Sequence, residues 1–413
     1  MELGNSDKRI HIPAETLSLI FSYQSLEDVR IARLVCTTFY SLASSYFLDT
    51  AIAGSQTATI QRIEAIAKHA VLRTTVTTVV YSVCSLSGEY STVSDYYKDM
   101  RMRHRYSGKQ LPTIEQCERH WIEYQRIYKD QVELQKGQDK FRIQNALRHM
   151  PNVKHLVLSG TAWKLSSHPL NTMWCQPDYT IIEPNTDPDN GPQQFSHGFN
   201  VMSSALLSSN ICLSSLSCTN PTYTSDSFRS SYFTENSQGL FRSLRRIVLY
   251  LSADFDQTPL SDNKVGQCIS VASKLEALEL VFEPEGQRQI MFPRILLATW
   301  PELYHLKLEI DIDYGVFTDF CQRHGNSLRS LHLENVHLFG GTWEMLLQVM
   351  KDCLHLTKVC LGTLSEDPHQ DRLWERRNGL EEQDWQRLSE AEEYLLCGGE
   401  NPFRNNTFQL VSL

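Results

Sequence analysis

Apolar positions along this chain follow two rhythms. From residue 76 onward they recur at places 1, 4 and 6 of short extended segments. These are Val76/Val79/Tyr81, Val153/Leu156/Leu158, Leu213/Leu216/Cys218, Leu244/Ile247/Leu249, Leu275/Leu278/Leu280, Leu303/Leu306/Leu308, Leu328/Leu331/Leu333 and Leu356/Val359/Leu361. The last six start 31, 31, 28, 25 and 28 residues apart. Side chains alternate along a strand, so places 4 and 6 point to one side and places 3, 5 and 7 to the other. Between the segments lie helical spacings: Val265/Cys268/Ile269/Ala272, Val316/Phe317/Phe320/Cys321 and Trp343/Leu346/Leu347/Met350.

The other rhythm belongs to the first fifty residues. Leu17, Ile20 and Phe21 share one helical face, Ile31, Leu34 and Val35 a second, and Phe39, Leu42, Ala43, Tyr46 and Phe47 a third. Pro13 suits a first helical position, and Ser25 followed by Asp28 has the form of a capping box. Three helices this short cannot hide their apolar stripes from water by packing on one another alone. The remainder must meet the rest of the chain or another protein.

Ile12-Pro13-Ala14-Glu15-Thr16-Leu17, Ile20-Phe21-Ser22-Tyr23, Asp28-Val29, Leu34-Val35-Cys36 and Phe39 resemble an F-box, without a gap over this span. Ile12, Thr16, Gln24 and Thr37 depart from the usual residues of that motif. The later rhythm, strand plus helix at a period in the twenties, is the arithmetic of leucine-rich repeats. The combination resembles the F-box families of filamentous fungi, as does the Gly398-Gly399-Glu400-Asn401-Pro402 ending.

The expected fold is therefore α/β. A three-helix F-box at 8–50 precedes a helical linker at 51–75 and an irregular solenoid of degenerate repeats at 76–364, with parallel strands on its concave face. A capping segment follows at 365–413. Insertions are expected at 84–140, where Cys117, Trp121, Tyr124 and Tyr128 keep a helical spacing, and at 160–210, a polar stretch read as a long loop.

By resemblance, an F-box binds a Skp-type adaptor and, through it, cullin and RING subunits, while the repeats hold a protein substrate. Pro13, Leu17, Ile20, Phe21, Val35 and Phe39 are the expected adaptor contacts. If the strand frame is right, Tyr250, Glu279, His305, Lys307, Glu309, His332, Glu334 and Lys358 lie on the outward face and form the expected substrate surface. Glu309 and Glu334 become neighbours there, with Lys307 at hand to offset their repulsion. The alternative is an interaction scaffold that delivers nothing for degradation.

Composition narrows the picture a little further. With 39 basic and 48 acidic residues the net charge is −9, against a polyanion-binding surface over the whole molecule. Residues 98–148 hold 12 basic and 7 acidic side chains, the mixture of a solvated helix more than of a nucleic-acid surface. The eleven cysteines are odd in number and include no CxxC. With no apolar leader at the start and no membrane-length apolar run, the expectation is an intracellular protein of cytoplasm, nucleus or both. Phosphate loops, nucleophile elbows and zinc-protease motifs are missing. Cys353, His355, Cys360 and His369 fit no standard zinc spacing. No cofactor, no metal and no catalytic role are expected.

Overall fold

The computed structural model describes residues 12–83, 86, 88, 90–107, 113–160, 191–219, 237–252, 264–283, 293–366, 372–374 and 382–404. At the N-terminal end, α1 (Ala14–Ser22), α2 (Leu26–Ala32) and α3 (Thr37–Ser44) form a small helical module. Ser25 Oγ accepts the Asp28 amide at 3.2 Å and so caps α2, as its spacing predicts. Leu17, Phe21, Val29 and Ala43 make the module's own core, with Phe39, Leu42 and Phe47 packed around them.

The body is built on nine parallel strands that follow chain order: β1 (Thr50–Gly54), β2 (Thr78–Ser82), β3 (His155–Ser159), β4 (Ser215–Thr219), β5 (Arg246–Ser252), β6 (Ala277–Glu283), β7 (His305–Glu309), β9 (Ser330–Leu333) and β11 (Lys358–Leu361). A smaller sheet of β8 (Ile312–Asp313), β10 (Val336–Phe339), β12 (Leu364–Glu366) and β13 (Arg372–Trp374) lies beyond their C-terminal ends in sequence, with only β13 antiparallel. All eight segments with apolar places 1, 4 and 6 contain a strand. Their fourth and sixth residues fall in register, as in Ile247–Leu278–Leu306–Leu331–Val359. These side chains stack into one continuous apolar layer that runs from Ala51 to Phe403.

Two expected boundaries are corrected. Residues 51–75 are not a helical linker: they open with β1, which pairs with β2 from Thr50↔Thr78 to Gly54↔Ser82, and continue through α4 (Thr57–Lys68) and α5 (Leu72–Thr75). Leu48, Ala51 and Ala53 occupy the same places 1, 4 and 6, and Ala51 and Ala53 are buried in the main core. The expected loop at 160–210 is also only part of the story. Gly191–Ser208 is helical, and Phe195, Phe199, Met202 and Leu206 bury one face of it against the body. Residues 161–190 lie outside the described residues, as do most of the polar stretch 217–237, His369 and the chain from 405 on.

The insertion after β2 carries α6 (Val93–Ser107) and α7 (Ile114–Glu133). It has a separate core of Leu86, Tyr90, Tyr96, Met100, Cys117, Tyr124 and Ile127, in which the three tyrosine rings meet edge-on at 5.4–5.6 Å. Helix α7 passes through a π-turn at Leu134–Gln138 into α8 (Asp139–Leu147). Gly137 takes φ +108° there, a conformation an L side chain rarely adopts.

In chain order the remaining helices are α9 (Gly191–Ser208), α10 (Gln238–Phe241), α11 (Lys264–Ser270), α12 (Pro293–Leu296), α13 (Tyr314–His324), α14 (Trp343–Cys353) and α15 (Glu382–Cys397). The last of these covers the sheet's far edge. Glu392 Oε1 accepts the Leu361 amide at 2.6 Å, so an edge N–H that would otherwise invite another strand is satisfied within the chain. Helix α15 ends at Gly398 and Gly399, whose φ values of +86° and +124° suit glycine at a helix C-terminus.

Candidate functional site

Among the residues expected to touch an adaptor, the module separates insiders from outsiders. Leu17 and Phe21 are buried in its core, and Phe39 packs edge-on against Phe21 with ring centres 5.3 Å apart. Leu17 and Phe21 thus serve the module's own core, while Phe39 is half-buried against it. Pro13, Ile20 and Val35 are exposed. So are Leu19, Tyr23, Ile31 and Leu34, which are not among the expected adaptor contacts. Leu19, Ile20 and Tyr23 lie within one turn at the end of α1, and Ile31, Leu34 and Val35 sit at i, i+3 and i+4 at the end of α2. Leu34 is 85% exposed and Tyr23 81%. A small domain rarely leaves so many large apolar side chains in water without a use for them.

Residues 10–51 match the F-box-like family model. The chain thus carries an F-box-like domain, and its three helices account for that match. No curated protein matches the chain.

The F-box-like module joins the body without a spacer. Only five residues separate α3 from β1, and Leu48 among them packs against the main core. Thr75 Oγ1 donates to the Leu48 carbonyl at 2.7 Å, and the amides of Thr77 and Thr78 both donate to the Asp49 carbonyl. Tyr40 OH and His69 Nε2 are 3.0 Å apart, bridging α3 to the turn after α4. The Arg33 guanidinium lies over the Phe47 ring, 4.1 Å from its centre, and donates to Ser44 Oγ.

The second surface is the sheet face turned away from the helix layer. Strand register brings the expected substrate-face residues together on it. Val248, Glu279, Lys307, His332 and Cys360 form one row across the strands, and Arg246, Ala277, His305, Ser330 and Lys358 form the row before it. Tyr250, Val281 and Glu309 form the row after it, and the Glu334 amide continues the ladder by donating to the Leu308 carbonyl.

Carboxylates on this face are engaged by their neighbours. Glu279 accepts from Arg246 at 2.7 Å, Lys307 Nζ lies 2.6 Å from Glu309, and His332 Nε2 lies 3.5 Å from Glu334. Partial burial works against the Lys307 ammonium, but Glu309 outweighs it and holds the lysine above its usual value. His332 holds Glu334 below the usual carboxylate range. The Glu334 carboxylate lies directly against Gly362, so a side chain there would make it swing away. His305 Nδ1 lies 2.9 Å from Ser330 Oγ, and burial pushes the imidazole below its ordinary value.

The face changes character along the sheet. Its β1–β4 half presents Thr50, Ile52, Gly54, Thr78, Val80, Ser82, His155, Val157, Ser159, Ser215 and Ser217, without a carboxylate, lysine or arginine among these residues. Ile52, Val80 and Val157 pack together on it. All the charges belong to β5–β11.

A buried polar knot sits where α8 begins. Asp139 Oδ2 accepts from Ser55 Oγ at 2.7 Å and from His197 Nε2 at 2.6 Å, while Oδ1 accepts the Lys140 amide. Ser55 Oγ also meets Tyr81 OH at 2.9 Å. Burial alone would raise the Asp139 carboxyl, but its hydrogen bonds and the His197 charge bring it below the ordinary value. The serine here faces the carboxylate and not an imidazole, so the arrangement ties β1, β2, α8 and α9 together and lacks the order of a nucleophilic triad.

Burial pushes the Cys268 thiol up to about 12 and raises those of Cys218 and Cys321, leaving them protonated packing groups. Among the described residues no three His, Cys, Asp or Glu side chains gather where they could hold a metal ion, and no helix is long and apolar enough to cross a membrane.

Proposed function

We propose that this chain is the substrate-recognition subunit of an SCF-type ubiquitin ligase. The F-box-like module binds a Skp-type adaptor, which brings cullin and RING subunits, and the body is an irregular leucine-rich-repeat solenoid whose outer sheet face holds a protein substrate. The observation that carries this reading is the pairing of a matched F-box-like module with exposed apolar turns at Leu19–Tyr23 and Ile31–Val35. Burying one such side chain is worth about 1.5–3 kcal/mol, so a few of them supply a stable interface. The solenoid reading is supported by strand starts that recur at intervals in the twenties and low thirties, and by nine parallel strands in chain order.

Function here is geometric. Ubiquitin transfer would happen on other chains, and this subunit would raise the local concentration of a substrate lysine near the conjugating enzyme. A module fastened to β1 through Leu48, Asp49 and the Tyr40–His69 contact gives such a receptor a fixed angle between its two surfaces.

The purified chain is expected to form a one-to-one complex with a Skp-type adaptor in gel filtration and calorimetry. Leu34→Asp with Val35→Asp should abolish it, while circular dichroism of the chain stays unchanged. No complex at micromolar concentrations overturns the adaptor reading. A complex whose captured partners keep their abundance when this protein is depleted favours the non-degradative scaffold instead.

A further inference from the structure

The row nearest the N-terminal ends of the strands has one property the other rows lack. Across nine strands it reads Thr50, Thr78, His155, Ser215, Arg246, Ala277, His305, Ser330 and Lys358. It contains no carboxylate, although the chain as a whole carries nine more acidic than basic residues. Arg246 and Lys358 are both exposed. Between them stands His305, two strands from each. The acidic residues of the face lie in the other rows and are held by Arg246, Lys307 and His332. What this edge offers a partner is therefore cations, imidazoles and hydroxyls with no carboxylate among them. Arg246 gives one N–H to Glu279 and has four more.

Spacing then selects the shape of the partner. Adjacent strands lie about 4.8 Å apart, so Arg246, His305 and Lys358 are spaced by about 10 Å. A polyproline II segment rises about 3.1 Å per residue with three residues per turn, which presents every third side chain on one face at about 9.3 Å. The two repeats agree to within the length of a side chain's reach.

We propose that the Arg246–His305–Lys358 row holds an extended acidic segment of a partner protein, laid across the strands with a carboxylate at every third residue. The two arginine and lysine ends take carboxylates as charge-assisted hydrogen bonds, and the His305–Ser330 pair takes the middle one. This deepens the proposed role of the outer face, and its failure is separable from failure of the adaptor reading.

Fluorescence anisotropy on the full chain tests it. The probe is a labelled peptide of repeated Glu-Pro-Pro, compared with a peptide of the same composition whose glutamates form one block. The repeat peptide should bind more tightly, and more so at low salt. Arg246→Glu and Lys358→Glu should each weaken it about tenfold, equal to ~1.4 kcal/mol. Both variants should keep the adaptor complex, and Lys129→Glu on the exposed side of α7 should change nothing. Equal binding of the two peptides, binding indifferent to both row variants, or no binding of either peptide overturns the proposal. Adaptor failure alongside intact peptide binding would remove the F-box reading and leave this surface standing.

Discussion

Leu34 at the end of α2 and Trp300 before β7 are both large apolar residues, yet the first is 85% exposed and the second fully buried. They represent two ways of using apolar surface. In the body, each strand adds its inward leucines to a layer already begun by the strand before, so burial is cumulative and the edge is finished by α15. In the module, four buried residues with a half-buried ring around them hold three short helices, and Leu19, Ile20, Tyr23, Ile31, Leu34 and Val35 are left in water. The body carries charge on its outer sheet face, and the module carries exposed apolar side chains on a small one. A region that keeps its apolar residues for a partner has fewer for itself, so its local stability should be lower.

The largest effect that sharpens this contrast is Trp300→Ala. It empties a site packed against the His324 ring and removes the bond from Nε1 to the Ile269 carbonyl, at a cost of about 3–5 kcal/mol. Urea unfolding of the chain should show it as a lower midpoint for the body. Phe21→Ala deletes a similar volume from the module and should act elsewhere. Residues 14–44 should lose hydrogen-exchange protection while the strands from 50 to 361 retain theirs. If Phe21→Ala lowered the body's midpoint as far as Trp300→Ala, the two regions would be one cooperative unit and the contrast would fail.

A smaller effect comes from protons. His324 Nε2 accepts the Trp300 amide at 3.0 Å, and its Nδ1 lies 3.0 Å from the Phe320 carbonyl, so the ring sits neutral in the core. Burial accordingly lowers its value below the ordinary 6.5. The unfolded chain then takes up this proton first, and stability present above pH 6.5 falls as pH drops towards the folded value. His305 shifts in the same direction, again through burial. The body should lose at most about 1.4 kcal/mol per pH unit for each such histidine. Residues 12–48 contain no buried titratable side chain, so the module's exchange protection should not follow. A urea midpoint that stays flat between neutral pH and the carboxylate range would contradict the neutral role given to His324. Asp139 contributes in a separate window, because its depressed value keeps its stabilisation in place until well below the histidine range.

How far sequence reached depended on whether a residue's partner was set by a repeating rule. Places 4 and 6 of each segment meet the same places of the next strand, so the apolar spacing predicts eight strands and the outward set from Tyr250 to Lys358. Strand β1 obeys the same rule, and Leu48 stands 76 − 48 = 28 residues before Val76. Alanines occupy its inner places, Ala51 and Ala53, so its apolar signal is weak. Helix α9 has Phe195, Phe199, Met202 and Leu206 at helical spacing, but serine and asparagine around them suggested a loop. Strand β8 is two residues long and carries no pattern at all. Within the module no repeat helps. Ile20 and Phe21 are adjacent and equally apolar, and which one faces the core is decided by how α1 crosses α3. That crossing puts Leu17 and Phe21 in the module's own core, with Phe39 half-buried against it, and leaves the F-box resemblance of the segment intact.

The smallest expected effect separates the two regions most sharply. Leu34→Ser changes a side chain that touches little within the chain, so neither the body's midpoint nor the module's exchange protection should move by more than about 0.5 kcal/mol. Adaptor affinity, in contrast, should drop by a factor of ten or more, because the leucine's apolar area would leave water only in the complex. Trp300→Ala should behave in the opposite way, costing stability while leaving adaptor affinity of the still-folded chain unchanged. Were Leu34→Ser to destabilise the chain by as much as a core deletion, its side chain would be serving the fold, and the exposed turn at Ile31–Val35 would lose its claim to be an interface.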